Sequence, residues 1–439
     1  MASIDTPMNA GPLSAVSWRD RVKVTRIGVF SVFFILVGVL ILLTVPQSVA
    51  PDAVTILTFG TAPSGEIIAL PITVVPYMTV VALVYIASGV FGLLPQENLR
   101  RYKFWLLLLC AALIFPNVLT LAAAGQSTSA VTMLGSSLRL ATPIVLGALA
   151  GIWCERAGVV NIAIEGMMLT GAAFGFLAFS LINPGIVADA QSALWIGVAV
   201  AVLAGGLMAT LHAWLSITFK TNQIVSGTVI NILAVGLTSF LRREVLLGNQ
   251  DAGRETLAVI RVPLFSDIPV VGQELFTGKP IFFMMFILLV VTHVILFYTR
   301  WGLRTRSVGE NPHAADTLGI HVNRTRWINV IIGGMIAGLA GAWLSLETTG
   351  TFDDNMTAGR GFIGLAAMIF GKWLPFGAFG GGLLFGFSSA LETRFQILGV
   401  PLPPQFLQMT PYIVTMVVLA GLVGRATPPK ADGIPYEKE

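Results

Sequence analysis

The chain has 439 residues, of which 55% are hydrophobic and only 11% are charged, and its mean hydropathy is +0.83. Soluble globular domains carry roughly 25% charged residues, so the composition excludes a soluble domain and indicates an all-α, polytopic membrane protein. The net charge of +4 comes from 26 basic and 22 acidic residues. In such a chain the positions of the basic residues indicate topology rather than nucleic-acid binding.

A polar and basic leader, residues 1–26, precedes the first apolar run. This run is longer than the apolar core of a signal peptide, so we expect an uncleaved first span. A membrane-spanning helix needs about 20 mainly apolar residues, and this template predicts about 10–12 spans. The segments are Ile27–Val45, Ile67–Leu94, Phe104–Ala124, Val131–Trp153, Val159–Leu181, Ser192–Phe219, Asn222–Leu241, Ile281–Thr299, Trp327–Leu346, Phe362–Trp373, Phe376–Ala390 and Met409–Gly424.

Two of these segments, Phe362–Trp373 and Phe376–Ala390, are short and are separated by a break at Pro375. The pattern therefore leaves two structures open, either tightly packed spans or re-entrant segments.

Basic residues predict the orientation of the chain. When the segments alternate across the membrane, 18 Lys and Arg residues fall on one side and 7 on the other, with Arg139 left inside a span. By the positive-inside rule the first side is cytoplasmic, so both termini are predicted to be cytoplasmic. The loop Arg242–Pro280 is then an external cap, and Arg300–Arg326 is the longest cytoplasmic connection.

Small residues recur at helical spacing in several spans, which allows two membrane helices to approach closely. The pairs are Gly147 with Gly151, Gly171 with Gly175, Gly334 with Gly338, and Ala337 with Gly341.

Motifs of the common catalytic and nucleotide-binding sites are absent. The sequence contains no GxxxxGK[ST] phosphate loop, no HExxH and no GxSxG, and its two cysteines lack metal-ligand or disulfide spacing. The two histidines inside spans, His212 and His293, have no carboxylate one helical turn away and are predicted to be packing residues. We therefore predict that the chain is not an enzyme and holds no metal.

The stretch "CERAGVVNIAIEGMML" carries a glutamate and an asparagine inside an apolar run. If the chain is helical from Val159 onward, Gly158, Asn161, Glu165 and Met168 share one face. A carboxylate near the bilayer centre costs roughly 2.5–3.5 kcal/mol, and Arg139 in the preceding span is the basic residue that could offset it. Two roles remain open for this face, namely the lining of a polar path or its immediate support, and a clamp between spans.

A second polar group starts at "KTNQIVSGTVIN", where Gln223, Ser226 and Asn231 interrupt an apolar run. Their uncharged side chains both donate and accept hydrogen bonds, which suits a neutral polar solute better than an ion. The alternative for Asn222 and Gln223 is that they cap the start of a helix.

The cytoplasmic stretch "VGENPHAADTLGIHV" predicts a short helix. Pro312 is placed to begin it and Gly319 to end it. Basic residues flank the stretch, so it is either an interfacial element in contact with membrane lipid or a docking site for a soluble partner.

Five segments, taken in order, resemble one known family. They are "TPIVLGALAGIWCERAGVVNIAIEGMML", "NQIVSGTVIN", "VGENPHAADTLGIHV", "GRGFIGLAAMIFGKWLPFGAFGGGLLFG" and "PYIVTMVVLAGLVGRATPPKADGIPY". Together they are similar to the permease subunit of bacterial ABC importers for nucleosides, within the group that also handles simple sugars and branched-chain amino acids. The resemblance covers roughly Leu138–Tyr436.

This resemblance implies a function and a site. The chain would be the permease subunit of an ATP-driven importer for a nucleoside or similar small polar solute, in the bacterial inner membrane. Alternatives are a sugar or branched-chain amino acid permease, or an ion-coupled secondary transporter that uses Glu165 and Glu347. The predicted translocation path comprises Asn161, Glu165, Gln223, Ser226 and Asn231. The predicted coupling helix to the ATPase comprises Glu310, Asn311, Pro312, Ala314, Ala315 and Gly319.

The resemblance also implies partners. These are an ABC ATPase that holds ATP and Mg²⁺, a second permease subunit in a heterodimer, and an extracytoplasmic substrate-binding lipoprotein. The predicted organisation is a leader at 1–26, accessory helices at 27–126, a permease core at 127–424 with the coupling loop at 300–326, and a cytoplasmic tail at 425–439.

Overall fold

The computed structural model describes residues 26–61, 67–182, 189–246, 254–269, 271–399 and 426–438, together with Val187, Gln405 and Met409. The predicted leader, apart from Arg26, and the predicted last span, apart from Met409, lie outside these residues. The helices are α1 (Arg26–Ser48), α2 (Val74–Leu93), α3 (Arg100–Ala122), α4 (Ala130–Glu155), α5 (Ile164–Ile182), α6 (Ala190–Ala213), α7 (Gln223–Leu241), α8 (Gly272–Phe276), α9 (Pro280–Tyr298), α10 (Arg300–Glu310), α11 (Pro312–Thr317), α12 (Val322–Ala342), α13 (Arg360–Phe370) and α14 (Pro375–Ile397). The strands are β1 (Val54–Thr61), β2 (Ile67–Thr73), β3 (Ser127–Ser129), β4 (Ile260–Arg261) and β5 (Thr277–Gly278).

Among the described residues, nine helices are long and apolar enough to cross a membrane. This confirms the prediction of an all-α, polytopic bundle, while the side on which each terminus lies stays a prediction. The two short predicted segments near Pro375 differ in kind. With 11 residues, α13 is about 16 Å long, roughly half of the ~30 Å hydrocarbon thickness. With 23 residues, α14 is long enough to cross.

The described residues divide into two compact units. The first, Met1–Thr55 and Ile72–Gly125, is built on α1–α3. Its helices α1 and α2 approach closely, because a Cβ atom at Gly89 would lie 2.5 Å from the carbonyl oxygen of Ser31. Between α2 and α3, Asn117 Nδ2 donates to Tyr85 Oη at 2.8 Å. Close packing and a satisfied buried amide therefore hold this unit together.

The second unit comprises Ile56–Pro71 and Gln126–Glu439. Short strands lie near the ends of its helices. Strand β1 pairs in parallel with β3 through Ile56 and Ser127. In the predicted external loop, β4 and β5 pair antiparallel. These strands are brief additions to a helical bundle, and they were not predicted.

Glycine contacts fix the core of the second unit. A Cβ atom at Gly171 of α5 would lie 2.7 Å from Gly338 Cα of α12, and one at Gly205 of α6 would lie 2.3 Å from the carbonyl oxygen of Gly334. Helices α5, α6 and α12 therefore pack backbone to backbone, which confirms the close approach predicted at these small residues.

In the part of the chain that the structure describes, three long helices end in π-helical turns. These turns are Trp214–Thr218 after α6, Arg242–Leu246 after α7, and Trp343–Thr349 after α12. Such turns are rare in proteins, and those that do occur are often found at functional sites. The last of them carries Glu347, which is 3% exposed.

Candidate functional site

The chain is not helical between α4 and α5. Helix α4 ends at Glu155, α5 begins at Ile164, and Gly158 has φ +83°. A Cβ atom at Gly158 would lie 2.9 Å from Arg326 Nη2, so only glycine fits both the backbone conformation and the space. The prediction of one continuous helical face from Gly158 through Met168 is therefore wrong.

Side chains of α7 bind the backbone groups that this break leaves without helical partners. Gln223 Oε1 accepts from the Val160 amide at 2.7 Å. Asn231 Oδ1 accepts from the Gly166 amide at 2.8 Å, and its Nδ2 donates to the Ile162 carbonyl at 3.0 Å. Irregular backbone at membrane depth must be satisfied by protein groups or water, and α7 supplies them here.

His212 of α6 extends this network. Its Nε2 lies 3.0 Å from the Val160 carbonyl, which can only accept, so Nε2 carries the proton. Its Nδ1 then accepts from Ser226 Oγ at 3.1 Å. His212 is thus a bonded packing residue, as predicted, and Ser226 acts on the break through it.

Asn161 stabilises the turn in which it lies. Its Oδ1 accepts from the Ala163 amide at 3.1 Å, and its Nδ2 lies 3.3 Å from Cys154 Sγ. The residue is fully buried. Both of these partners lie within seven residues of it in the chain, so these contacts are local to the break.

Glu165 caps the half-length helix α13. Its Oε1 accepts from the Gly359 amide at 2.8 Å and its Oε2 from the Gly361 amide at 2.6 Å. A carboxylate at a helix N-terminus is stabilised by the free amides and by the helix dipole. The basic residue predicted to offset it is elsewhere, because Arg139 pairs with Glu274 at 3.2 Å.

The far end of α13 shows how deep Glu165 lies. Arg156, just after α4, donates through Nε to the Trp373 carbonyl at 3.0 Å, and Trp373 Nε1 donates to Glu155 Oε2 at 2.6 Å. Helix α13 therefore runs from Glu165 to the end of the bundle where α4 stops. Since α13 is about 16 Å long, Glu165 lies roughly half a bilayer thickness from that end.

A second buried carboxylate caps a full-length helix. Glu347 accepts from the amides of Ile281 and Phe282, at 2.6 Å and 3.1 Å, in the first turn of α9. Lys279 lies beside it and donates to the Glu347 carbonyl at 2.5 Å. Burial lowers the pKa of Lys279, and the nearby Glu347 carboxylate opposes that shift.

A cavity of about 860 Å³ opens next to Glu347. It lies where α4 and α9 begin and where α12 and α14 end, so it occupies the end of the bundle opposite to Glu155 and Trp373. Its lining includes Arg139, Glu274, Lys279, Glu347, Phe282 and Trp343. Cationic and anionic side chains occur together here, beside two aromatic rings. The cavity therefore offers both hydrogen-bond donors and hydrogen-bond acceptors.

The short helix that begins at Pro312 was predicted correctly, whereas its cytoplasmic side stays a prediction. Asn311 Oδ1 accepts from the Ala314 amide at 3.1 Å, Pro312 is the first residue of α11, and Gly319 follows its end with φ +77°. Ala315 is buried, whereas Ala314 is exposed. Glu310 ends α10, and its Oε2 accepts from the Lys430 amide at 3.4 Å.

The sequence did not indicate several of these contacts. The roles of His212 and Glu347 as backbone partners and the burial of Arg326 were missed, since each depends on residues far away in the chain. No group of three or more metal-ligating side chains occurs within the part of the chain that the structure describes.

Comparison with known proteins identifies the family. Residues 133–423 match the family model described as "Branched-chain amino acid transport system / permease component". The nucleoside ABC transporter permease protein NupC of Lactococcus lactis is 41% identical over 309 residues, which cover 70% of this chain and 96% of NupC. The guanosine ABC transporter permease protein NupQ of Bacillus subtilis is 40% identical over 69% of this chain and 95% of NupQ.

A more distant relative is the putative glucose ABC transporter permease protein TsgC13 of Haloferax volcanii, 32% identical over 67% of this chain and 92% of TsgC13. No solved structure matches the chain. The relatives are transport components rather than enzymes, and their family implies a system with an ATPase and a binding protein. With nine apolar helices among its described residues, the chain is thus a multi-pass protein of the bacterial membrane that belongs to this permease family and serves as the permease subunit of an ABC importer.

Proposed function

We propose that the protein imports nucleosides. The observation that carries this proposal is its 40–41% identity, over 69–70% of the chain, to permeases named for nucleoside and guanosine transport. The chemistry of the cavity agrees with it. A nucleoside is uncharged and combines a flat ring with hydroxyl groups, and the cavity combines aromatic side chains with paired charges and hydroxyls.

In this proposal the cavity is the external entrance and α11 is the cytoplasmic coupling helix. The two features lie at opposite ends of the bundle, and the excess of basic residues at the α11 end supports this orientation. An external binding lipoprotein delivers the solute at the cavity. An ATPase that holds ATP and Mg²⁺ binds at α11, and a second, related permease completes the channel.

The five predicted path residues then act mainly as support for the path. Asn161, Gln223 and Asn231 hold the broken segment between α4 and α5, and Ser226 does so through His212. Glu165 holds the N-terminus of α13. Broken helices of this kind surround the solute sites of many transporters, so we place the path beside the break and the start of α13.

Uptake measurements test the substrate. Cells that express the permease with its ATPase, binding protein and second permease should accumulate radiolabelled guanosine. Excess unlabelled nucleoside should suppress this uptake at least tenfold, whereas glucose and leucine should leave it unchanged. A matched control carries an ATPase variant that cannot hydrolyse ATP and should show background uptake. Suppression by glucose or leucine instead of nucleosides would overturn the proposal.

A sugar is the second candidate substrate, because TsgC13 is named as a putative glucose permease. The same competition experiment separates the two classes. An aromatic wall matters more to a flat base than to a hexose. Trp343→Ala should therefore lower uptake if the solute is a nucleoside and leave uptake nearly unchanged if the solute is a sugar.

A further inference from the structure

The C-terminal tail, Ala426–Lys438, packs against the helices that flank α11. The Ala431 amide donates to the Gly309 carbonyl at 2.9 Å, and Arg326 Nη1 donates to the Ile434 carbonyl at 2.9 Å. Gly309 belongs to α10, before α11, and Arg326 belongs to α12, after it. The tail thus joins the two sides of the α11 connection.

The tail also forms part of the surface on which α11 rests. Tyr436 is 6% exposed and packs in one apolar cluster with Val308, Ala315 and Val322. The Tyr436 ring lies 5.3 Å from the ring of His313, at the start of α11. A helix of six residues has little stability of its own, so these contacts help to set its position.

On its inner side the tail touches the break between α4 and α5. A Cβ atom at Gly158 would lie 3.0 Å from the Ala431 carbonyl oxygen, and one at Gly309 would lie 2.3 Å from the Arg156 carbonyl oxygen. A Cβ atom at Gly433 would lie 3.3 Å from Val160 Cγ2. The tail, α10 and the break therefore meet without room for one extra methyl group at Gly158 or Gly309.

We propose that the tail is a strap that positions α11 and passes its displacement to the α4–α5 break. Because the tail contacts α11 on one side and Gly158 and Val160 on the other, movement of α11 cannot leave the break unchanged while the tail stays docked. This proposal rests on the proposed function in one respect, namely that α11 is the helix on which the ATPase acts.

Truncation of the tail tests the strap in the full complex. The complex is reconstituted in proteoliposomes, and solute uptake and ATP hydrolysis are measured together. A stop codon at Lys430 should leave the complex assembled and hydrolysis within twofold of wild type, but should lower uptake per ATP at least tenfold. The matched control is a stop codon at Lys438, which removes two residues and the exposed ion pair of Lys438 with Asp316 of α11 at 3.9 Å. An exposed ion pair contributes little, so this variant should stay within twofold of the wild-type ratio.

Point variants keep the test valid if the truncated chain fails to fold. Tyr436→Ala removes the ring under α11 and should lower uptake per ATP at least threefold, whereas Tyr436→Phe should restore the wild-type ratio. An unchanged ratio in Tyr436→Ala and in the Lys430 truncation would overturn the proposal. Loss of assembly in Tyr436→Ala would also overturn it, since the tail would then be an assembly element.

A cross-link tests whether the tail and α11 move together. In the His313→Cys, Tyr436→Cys double variant, a short bismaleimide that joins the two thiols should leave uptake within twofold of the unlinked protein. Blocked uptake after cross-linking, absent from the His313→Cys single variant treated in the same way, would show that the tail must separate from α11 and would overturn the strap.

These outcomes are separate from those of the substrate proposal. If the wild-type complex imports a different solute, the nucleoside proposal fails, and the ratio of uptake to ATP hydrolysis is measured with that solute. The strap fails only if the tail variants keep the wild-type ratio, lose the complex, or lose uptake when cross-linked.

Discussion

Glu165 and Glu347 are two buried carboxylates that bind the free amides of a helix N-terminus in different surroundings. Each accepts two backbone amides at the N-terminus of a helix. Glu165 does so for the half-length α13, deep in the bundle, against glycines and near the charge of Arg360. Glu347 does so for the full-length α9, beside Lys279 and at the edge of the 860 Å³ cavity.

The difference shows that a membrane-buried carboxylate need not face the solute. Backbone amides already bond to both oxygens of each group, which explains how the chain accepts the cost of burying them. An ion-coupled transporter would need these oxygens for its ion, so the geometry favours the ATP-driven importer that the relatives indicate. Water in the cavity can replace lost partners near Glu347 more readily than near Glu165.

The largest expected effect comes from truncation of Glu165. Glu165→Ala leaves two buried amides without acceptors, at roughly 1–3 kcal/mol each, so it should lower the free energy of unfolding by roughly 2–6 kcal/mol. Glu347→Ala removes the same number of backbone hydrogen bonds, but beside the cavity, and should cost about half as much. Unfolding of both variants in mixed detergent micelles measures the difference. Equal losses would remove the distinction between the two sites.

A second variant tests how tightly Glu165 is held. A Cβ atom at Gly361 would lie 2.6 Å from the Glu165 backbone nitrogen, so Gly361→Ala should push α5 and α13 apart and cost about 1–3 kcal/mol. Gly236→Ala in α7 is the control, because no atom lies within 4 Å of its added methyl. The control should be neutral or stabilising. A harmless Gly361→Ala would show that the contact at Glu165 is loose.

The asparagine side chains of α7 and its N-cap allow the same comparison for neutral groups. Asn231 makes two hydrogen bonds to the break, whereas Asn222 caps α7 at an exposed position. We expect Asn231→Ala to cost roughly 1–3 kcal/mol and Asn222→Ala about 1 kcal/mol. Thermal unfolding of the two purified variants ranks them. The reverse order would mean that water hydrogen-bonds to the backbone groups of the break when the Asn231 side chain is removed.

The smallest expected effect is a pH dependence of tail docking. Burial raises the pKa of Asp432 to about 7, although the hydrogen bond with Glu155 and the charge of Arg326 lower it. The docked state therefore keeps a proton that the released state gives up above its ordinary pKa of about 3.9. Docking should weaken as the pH rises from about 4 to about 7.

A nitroxide at the Lys438→Cys position reports this change as increased mobility, because Cys110 and Cys154 are buried. Asp432→Asn in the same background should reduce the pH response. Mobility that does not change between pH 5 and pH 8 would contradict the prediction.

Much of the fold could be predicted from the sequence because membrane helices are marked by local sequence patterns. Apolar runs gave the spans, and Pro312 and Gly319 gave the ends of α11, since each signal depends on residues within one or two helical turns. The break after Glu155 was harder to place. Gly158 marks it, but the following residues, through Met168, also fit one helical face.

The sequence by itself determined a polytopic helical bundle, its small-residue packing faces, its family and the short helix α11. Only the tertiary structure decided what the buried polar groups do. Glu165 meets amides 194 and 196 residues away, and Asn231 meets the break 65 and 69 residues away. A hydrogen bond acts over about 3 Å regardless of sequence separation, so local patterns could show that these groups need partners but not which partners they find.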